Sequence, residues 1–304
     1  MADAPPPAPL PTGARAWVAG ARPRTLPAAI VPVLVGTACA AGEAPIVAWR
    51  AVAAGLVALL LQIGTNFAND YSDGVRGTDA PTMRVGPVRL VGWGIKPPGE
   101  VKRAALACFA GAGIAGLALT VAVGPQLLVV GAAAILAGWF YTGGSHPYGY
   151  YGFGELFVFV FFGLVATIGS AYVQHEQLTA LASVAAVPVG LLATALLVIN
   201  NLRDIPGDTE SGKRTLAVRL GDPRTRGLYV GLLAVAFVGV PVVAGGFGRP
   251  VAVLALAPVV LARRPVLRVL EGSRGRDLIR VLADTGRVQL VTGALLALGI
   301  WLSG

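Results

Sequence analysis

Nine apolar runs, most of them close to 20 residues long, follow one another along this chain, over residues 25–42, 46–70, 102–123, 126–142, 154–173, 179–202, 226–246, 250–270 and 281–303. A helix needs roughly 20 mostly apolar residues to cross ~30 Å of hydrocarbon. Nine such runs cannot all be buried inside one soluble core, so the pattern predicts an all-α integral membrane protein with nine transmembrane helices. Charge agrees: only 13% of residues are charged, against about a quarter in soluble domains. The eighth run is interrupted by Arg263, Arg264 and Pro265. The first contains Pro27 and Pro32, which a membrane helix tolerates where neighbours satisfy the freed carbonyls.

Positively charged loops stay in the cytoplasm, which orients the helices. With the N-terminus inside, only Arg50 and Arg249 of the 24 Lys and Arg residues fall outside. An even number of spans would break this alternation, so the C-terminus is placed outside. The formal charge of +9 and a pI near 10.1 then need no nucleic-acid partner. Residues 1–14 are rich in Pro and Ala and lack the basic and apolar regions of a signal peptide. They are expected to form a disordered cytoplasmic tail, and residues 15–304 a single transmembrane domain. The connections 71–101 and 203–225 are long and face the cytoplasm in this topology, so the active side is expected there.

Two motifs close the second and sixth runs. The first is NFANDYSDGVRGTD, in which Asn66, Asn69, Asp70 and Asp73 are spaced i, i+3, i+4, i+7 and share one helical face. Acids gathered at the end of an apolar helix repel one another and lose hydration, and a divalent cation relieves both. Oxygen ligands without His or Cys point to Mg²⁺. A solvated helix end is the plainer alternative. The second motif, NNLRDIPGD, repeats the pattern with Asn201, Asp204 and Asp208, although Pro206 and Gly207 are expected to disturb the helix before Asp208. Two such clusters on the same membrane face can hold Mg²⁺ ions that in turn hold a diphosphate.

Basic residues flank both motifs. Arg76 and Arg84 follow the first, Lys213 and Arg214 follow the second, and Arg22 and Arg24 precede the first span. They suit a phosphate ligand, while anchoring at the cytoplasmic face is the plainer role for any single one of them. The segment YTGGSHPYGYY carries Tyr141 and Tyr148 with no basic residue, and its aromatic faces suit either a cation or the membrane interface. Glu155 starts the fifth run as a further buried acid. Cys39 and Cys108 lie within apolar runs and, like His146 and His175, form no metal cluster.

With NFANDYSDGVRGTD and NNLRDIPGDTESGKRTLAVRLG, the chain resembles the UbiA-type intramembrane prenyltransferases. ARPRTLPAAIVPVLVG and YTGGSHPYGYYGFGELFVFVFFG resemble the menaquinone branch of that superfamily, the 1,4-dihydroxy-2-naphthoate polyprenyltransferases. The wider superfamily often has a third acid four residues after the second Asp. Here Gly77 holds that position and the acid comes at Asp79. The resemblance implies nine helices around a central cavity with cytoplasmic cap loops, open sideways to lipid. It implies Mg²⁺ as cofactor, and a polyprenyl diphosphate and 1,4-dihydroxy-2-naphthoate as substrates. Prenyl transfer would release CO₂ and diphosphate and give demethylmenaquinol. Asp70, Asp73, Asp204 and Asp208 would ligate Mg²⁺ with help from Asn66, Asn69 and Asn201. The flanking Arg and Lys would contact diphosphate or carboxylate, Tyr141 and Tyr148 would shield the cation, and Asp79 would orient its loop or help deprotonate the naphthol. Another aromatic acceptor, or an ion-coupled transporter, are the alternatives.

Overall fold

The computed structural model describes residues 10–79, 86 and 88–304, and among these it contains helices and turns without strands. Helix α1 (Gly13–Ala21) passes through a 3₁₀ turn (Pro23–Thr25) into α2 (Pro27–Ala40), with a bend of 53° between the two parts. Pro23 and Pro27 sit at the start of each new piece, where a missing N–H leaves no bond unmade, and α2 continues through Pro32. The expected disordered segment 1–14 lies mostly outside the described residues, and α1 begins within it, at Gly13.

The remaining expected spans each correspond to a helical element. They are α3 (Ala48–Val75), α4 (Pro98–Val123), α5 (Gln126–Phe140), α6 (Gly154–Val158) running through a π segment (Phe159–Val165) into α7 (Ala166–His175), α8 (Ala180–Glu210), α10 (Asp222–Gly246), a 3₁₀ piece (Pro250–Leu256) continued by α11 (Val259–Leu270), and α12 (Asp277–Leu302). A short α9 (Leu216–Leu220) lies between α8 and α10. Among the described residues seven helices are long and apolar enough to cross a membrane, or eight if the bent α1–α2 pair is one span. The ninth, α5, is apolar but only 15 residues long.

Helix α8 is the axis of the bundle. Its apolar face packs with α2, α10, α12 and the π segment around Leu192, Leu196, Ile199, Tyr229 and Leu278. The approach of the π segment depends on two glycines: a Cβ on Gly163 would lie 2.5 Å from the Gly190 Cα. Small residues of this kind let helices touch backbone to backbone. Helices α4 and α5, by contrast, turn large apolar side chains outward. Val121 is 90% exposed, Val129 73% and Ile114 70%. A surface of that kind is stable only against lipid.

The second motif is wholly helical, since α8 runs to Glu210, and the first is helical through Asp73 to the end of α3 at Val75, with Asp79 in the turn that follows. The expected disturbance at Pro206 does not occur. The helix continues through it, so Asp204 and Asp208 stand one turn apart on one face. At the opposite end of the bundle Arg50 ties three helices together. Its guanidinium donates to the Val173 carbonyl at 3.0 Å, the Ala122 carbonyl at 3.2 Å and Glu176 at 3.2 Å.

Candidate active site

A cavity of about 750 Å³ runs inward from the motif end, between α3, α5, the α6–α7 span and α8. Its deep wall is apolar, with Val57, Leu119, Leu127, Val165 and Val173. Its mouth is polar and brings the two motifs face to face. Asn66, Asn69 and Asp73 line it from α3, and Asn200, Asn201, Arg203, Asp204 and Asp208 line it from α8. Arg22, Arg24, Lys213, Tyr141 and Tyr148, all expected from the sequence, line it too.

Asp73 is held from two sides. The Tyr150 hydroxyl donates to its Oδ1 at 2.5 Å, and Lys213 Nζ lies 3.1 Å from its Oδ2. The same ammonium sits 4.7 Å from the Tyr150 ring centre. Lys213 follows the second motif and Asp73 belongs to the first, so this contact joins the two. On α8, Arg203 grips Asp204 side-on, from Nε to Oδ1 at 2.7 Å and from Nη2 to Oδ2 at 2.8 Å. Its Nη2 also donates to Asn200 Oδ1 at 2.7 Å.

The structure separates other expected residues from this mouth. Asp70 is fully buried and off the cavity wall. Its two oxygens accept the backbone N–H groups of Leu90 and Val91, each at 2.9 Å. The reason is angular: on a 3.6-residue helix Asp70 stands roughly 60° round from Asp73, enough to face the loop instead. Asp79 is also fully buried and off the wall, with Arg89 Nε 3.1 Å from its Oδ2. Arg76 donates to the carbonyls of Thr142 and Gly144 and lies over the Tyr150 ring. Arg214 is exposed, and its backbone N–H holds the Tyr150 carbonyl at 2.8 Å. Arg84 lies outside the described residues.

The three amides differ in what they offer. Asn66 donates to the Ala21 carbonyl at 2.9 Å, and its Oδ1 accepts from Gln62 at 3.3 Å. Asn69 Oδ1 accepts from Thr142 at 2.7 Å. Asn201 gives its N–H to Glu155 Oε1 at 2.9 Å.

The aromatic wall is a ladder. Tyr141 meets Tyr148 edge-on at 5.5 Å, Tyr148 stacks on Phe157 at 3.9 Å, and Phe157 stacks on Phe161 at 5.9 Å. Burial raises the Tyr148 phenol above its ordinary range, and burial together with the Asp73 charge raises Tyr150. Both act as O–H donors, Tyr148 to the Ala137 carbonyl and Tyr150 to Asp73.

Sequence reasoning missed Arg203, Tyr150, Asn200 and Gln62 as parts of the mouth. Arg203 had a signal, since it stands three residues from Asn200 and next to Asp204 on a helix. Tyr150 had none, because only the 3₁₀ turn Tyr148–Tyr151 decides which tyrosine of the loop points at Asp73.

The donor set suits a hard cation shared with a ligand. Among the described residues no three His, Cys, Asp or Glu side chains converge as a metal cage. Mg²⁺ is usually held by one or two carboxylates plus phosphate oxygens and water, which is what Asp73 on one side and Asp204 with Asp208 on the other provide.

A polytopic helical bundle with acids and bases rimming the mouth of an apolar cavity is the architecture of an intramembrane protein with one site at one end of the bundle. The chain belongs to the UbiA prenyltransferase family, whose pattern matches residues 29–302. It is 52% identical over 275 residues to the 1,4-dihydroxy-2-naphthoate octaprenyltransferase of Mycobacterium tuberculosis, covering 90% of this chain and 93% of that one. The enzyme of the same name from Escherichia coli is 43% identical over 228 residues, covering 72% and 73%. Among solved structures, a UbiA homolog from Aeropyrum pernix K1 superposes with a TM-score of 0.68 at 16% identity, covering 90% of this chain and 96% of that one. A UbiA homolog from Archaeoglobus fulgidus bound to DMAPP and Mg²⁺ gives 0.63 at 14%, covering 92% and 98%. The family sets aside the transporter alternative.

Proposed function

We propose that this protein transfers a polyprenyl chain from its diphosphate to 1,4-dihydroxy-2-naphthoate, releasing CO₂ and diphosphate and giving demethylmenaquinol. The observation that carries this reading is the pairing of Asp73 with Asp204 and Asp208 across one mouth, above an apolar and aromatic cavity. The acceptor rests on the names of the relatives, the first of them 52% identical.

Bound Mg²⁺ supplies charge to neutralise the departing diphosphate. Asp73, Asp204 and Asp208, with Asn201, are the residues that would hold it. Asn66 and Asn69 support them from the first motif. Lys213, Arg203, Arg22 and Arg24 border the same mouth and add positive charge where the leaving group gathers its own. As the C–O bond of the allylic diphosphate breaks, its electron pair leaves with the diphosphate. The ladder from Tyr141 to Phe161 presents aromatic faces to the cation and keeps water from it. The ring carbon that bears the carboxylate attacks the cation. The C–C bond forms, CO₂ departs, and the electron pair of the broken bond restores the aromatic ring. Asp70 and Asp79 act here as fasteners of the loop over the mouth, with Asp70 holding Leu90 and Val91 and Asp79 pairing with Arg89.

The motif end faces the cytoplasm in this reading, with the N-terminus inside and the C-terminus outside, because Arg50 and Arg249 are the basic residues at the other end. The acceptor is tested by offering purified protein, Mg²⁺ and one prenyl diphosphate with 1,4-dihydroxy-2-naphthoate, 4-hydroxybenzoate or homogentisate. Product with the naphthoate alone is expected. Faster prenylation of either other ring would assign the chain to another branch.

A further inference from the structure

Glu155 is an acid that the mechanism above leaves without a task. It is buried, at 6% exposure, and it does not line the cavity. Its Oε1 accepts the Asn201 N–H at 2.9 Å, while its Oε2 is buried without a hydrogen-bond partner. An unpaired buried carboxylate oxygen destabilises the fold, so an explanation is called for.

We propose that Glu155 is a positioning residue that fixes the polarity of Asn201, so that the amide oxygen and not the NH₂ group faces the Mg²⁺–diphosphate. A half-turn of an Asn amide exchanges O and NH₂ with almost no change in shape, so its partners alone decide which end faces where. A carboxylate oxygen accepts and does not donate. With the carboxylate accepting, Asn201 gives its N–H to Glu155 and turns its Oδ1 away, toward the mouth that it lines. Among the described residues no hydrogen bond occupies that Oδ1, whereas the Oδ1 atoms of Asn66, Asn69 and Asn200 are taken by Gln62, Thr142 and Arg203. Asn201 is thus the amide of the two motifs that offers its oxygen to a cation. A Gln at position 155 would avoid the unpaired charge, but it could present either its oxygen or its NH₂ to Asn201, leaving both amides free to reverse. Partners behind a metal ligand commonly tune affinity in this way, by about 10–100-fold.

This inference rests on the Mg²⁺–diphosphate reading of the mouth. The test follows the melting temperature of the purified full chain in detergent while Mg²⁺ and inorganic diphosphate are titrated together. Glu155→Ala is expected to weaken the stabilising titration about tenfold or more. Asn201→Ala should weaken it similarly, and the double variant no further than Asn201→Ala alone, since one residue acts through the other. Glu155→Gln preserves volume and fold. It is expected to weaken the titration several-fold, and this loss should vanish when Asn201 is already Ala. Wild-type affinity in both Glu155 variants, or losses that multiply in the double variant, would overturn the proposal. No stabilisation of the wild type itself would instead sink the Mg²⁺–diphosphate reading, and this inference with it.

Discussion

The two acidic motifs look alike as strings of letters and divide their work differently. In the first, only Asp73 turns its carboxylate to the cavity, while Asp70 holds the backbone of Leu90 and Val91 and Asp79 pairs with Arg89. In the second, Asp204 and Asp208 both line the mouth, one turn apart on α8. The first motif divides between the cavity and the segment that follows it, where it holds Leu90, Val91 and Arg89. The second turns both of its acids to the cavity, on a helix already fixed by burial at the centre of the bundle.

The largest effects should come from the cavity-facing acids. Asp73→Asn, Asp204→Asn and Asp208→Asn are each expected to lower turnover by about a hundredfold or more, the scale of losing one electrostatic stabiliser. Asp73→Asn and Asp204→Asn also break buried ion pairs, with Lys213 and Arg203, and should lower the melting temperature as well. Asp70→Asn should show a different signature. Its amide can accept from one of the two backbone N–H groups but sets an NH₂ against the other. It is expected to lose about 1–3 kcal/mol of stability while the folded protein still responds to Mg²⁺ and diphosphate in the melting assay. An Asp70 variant that melts like wild type but no longer responds would erase the distinction between the motifs.

Smaller effects sharpen the same picture. Gly163→Ala places a Cβ 2.5 Å from the Gly190 Cα and should lower the melting temperature, at about 1–3 kcal/mol, by pushing the π segment away from α8. Tyr150→Phe removes the O–H that Asp73 accepts. It should reduce turnover by about tenfold or less, the scale of one hydrogen bond, and raise the Mg²⁺ concentration needed for half activity.

The fold was legible because hydrophobic length is read directly from the sequence. Each expected span met a helical element, and the departures lie where length was marginal, at α5 and at the bent α1–α2 pair. The mouth was legible in its residue types and less so in its geometry. The i, i+3, i+4, i+7 spacing places four side chains on one broad face, but a face spans more than 100° and a cavity wall takes only part of it. That is why Asp70 and Asp73 part company. Arg203 reads in the sequence as one more basic residue on the motif side, although it clasps Asp204 on both oxygens. Tyr150 became part of the site only when the 3₁₀ turn aimed it at Asp73.

The measurement that bears most directly on the central claim follows both products of one turnover. The purified protein is reconstituted in lipid with a polyprenyl diphosphate, Mg²⁺ and 1,4-dihydroxy-2-naphthoate labelled in its carboxylate, and labelled CO₂ and prenylated quinol are counted together. The account predicts one CO₂ for each prenylated ring in the wild type, and the parallel loss of both in Asp73→Asn and Asp208→Asn. A prenylated product that keeps its carboxylate, or full turnover in either variant, would contradict it.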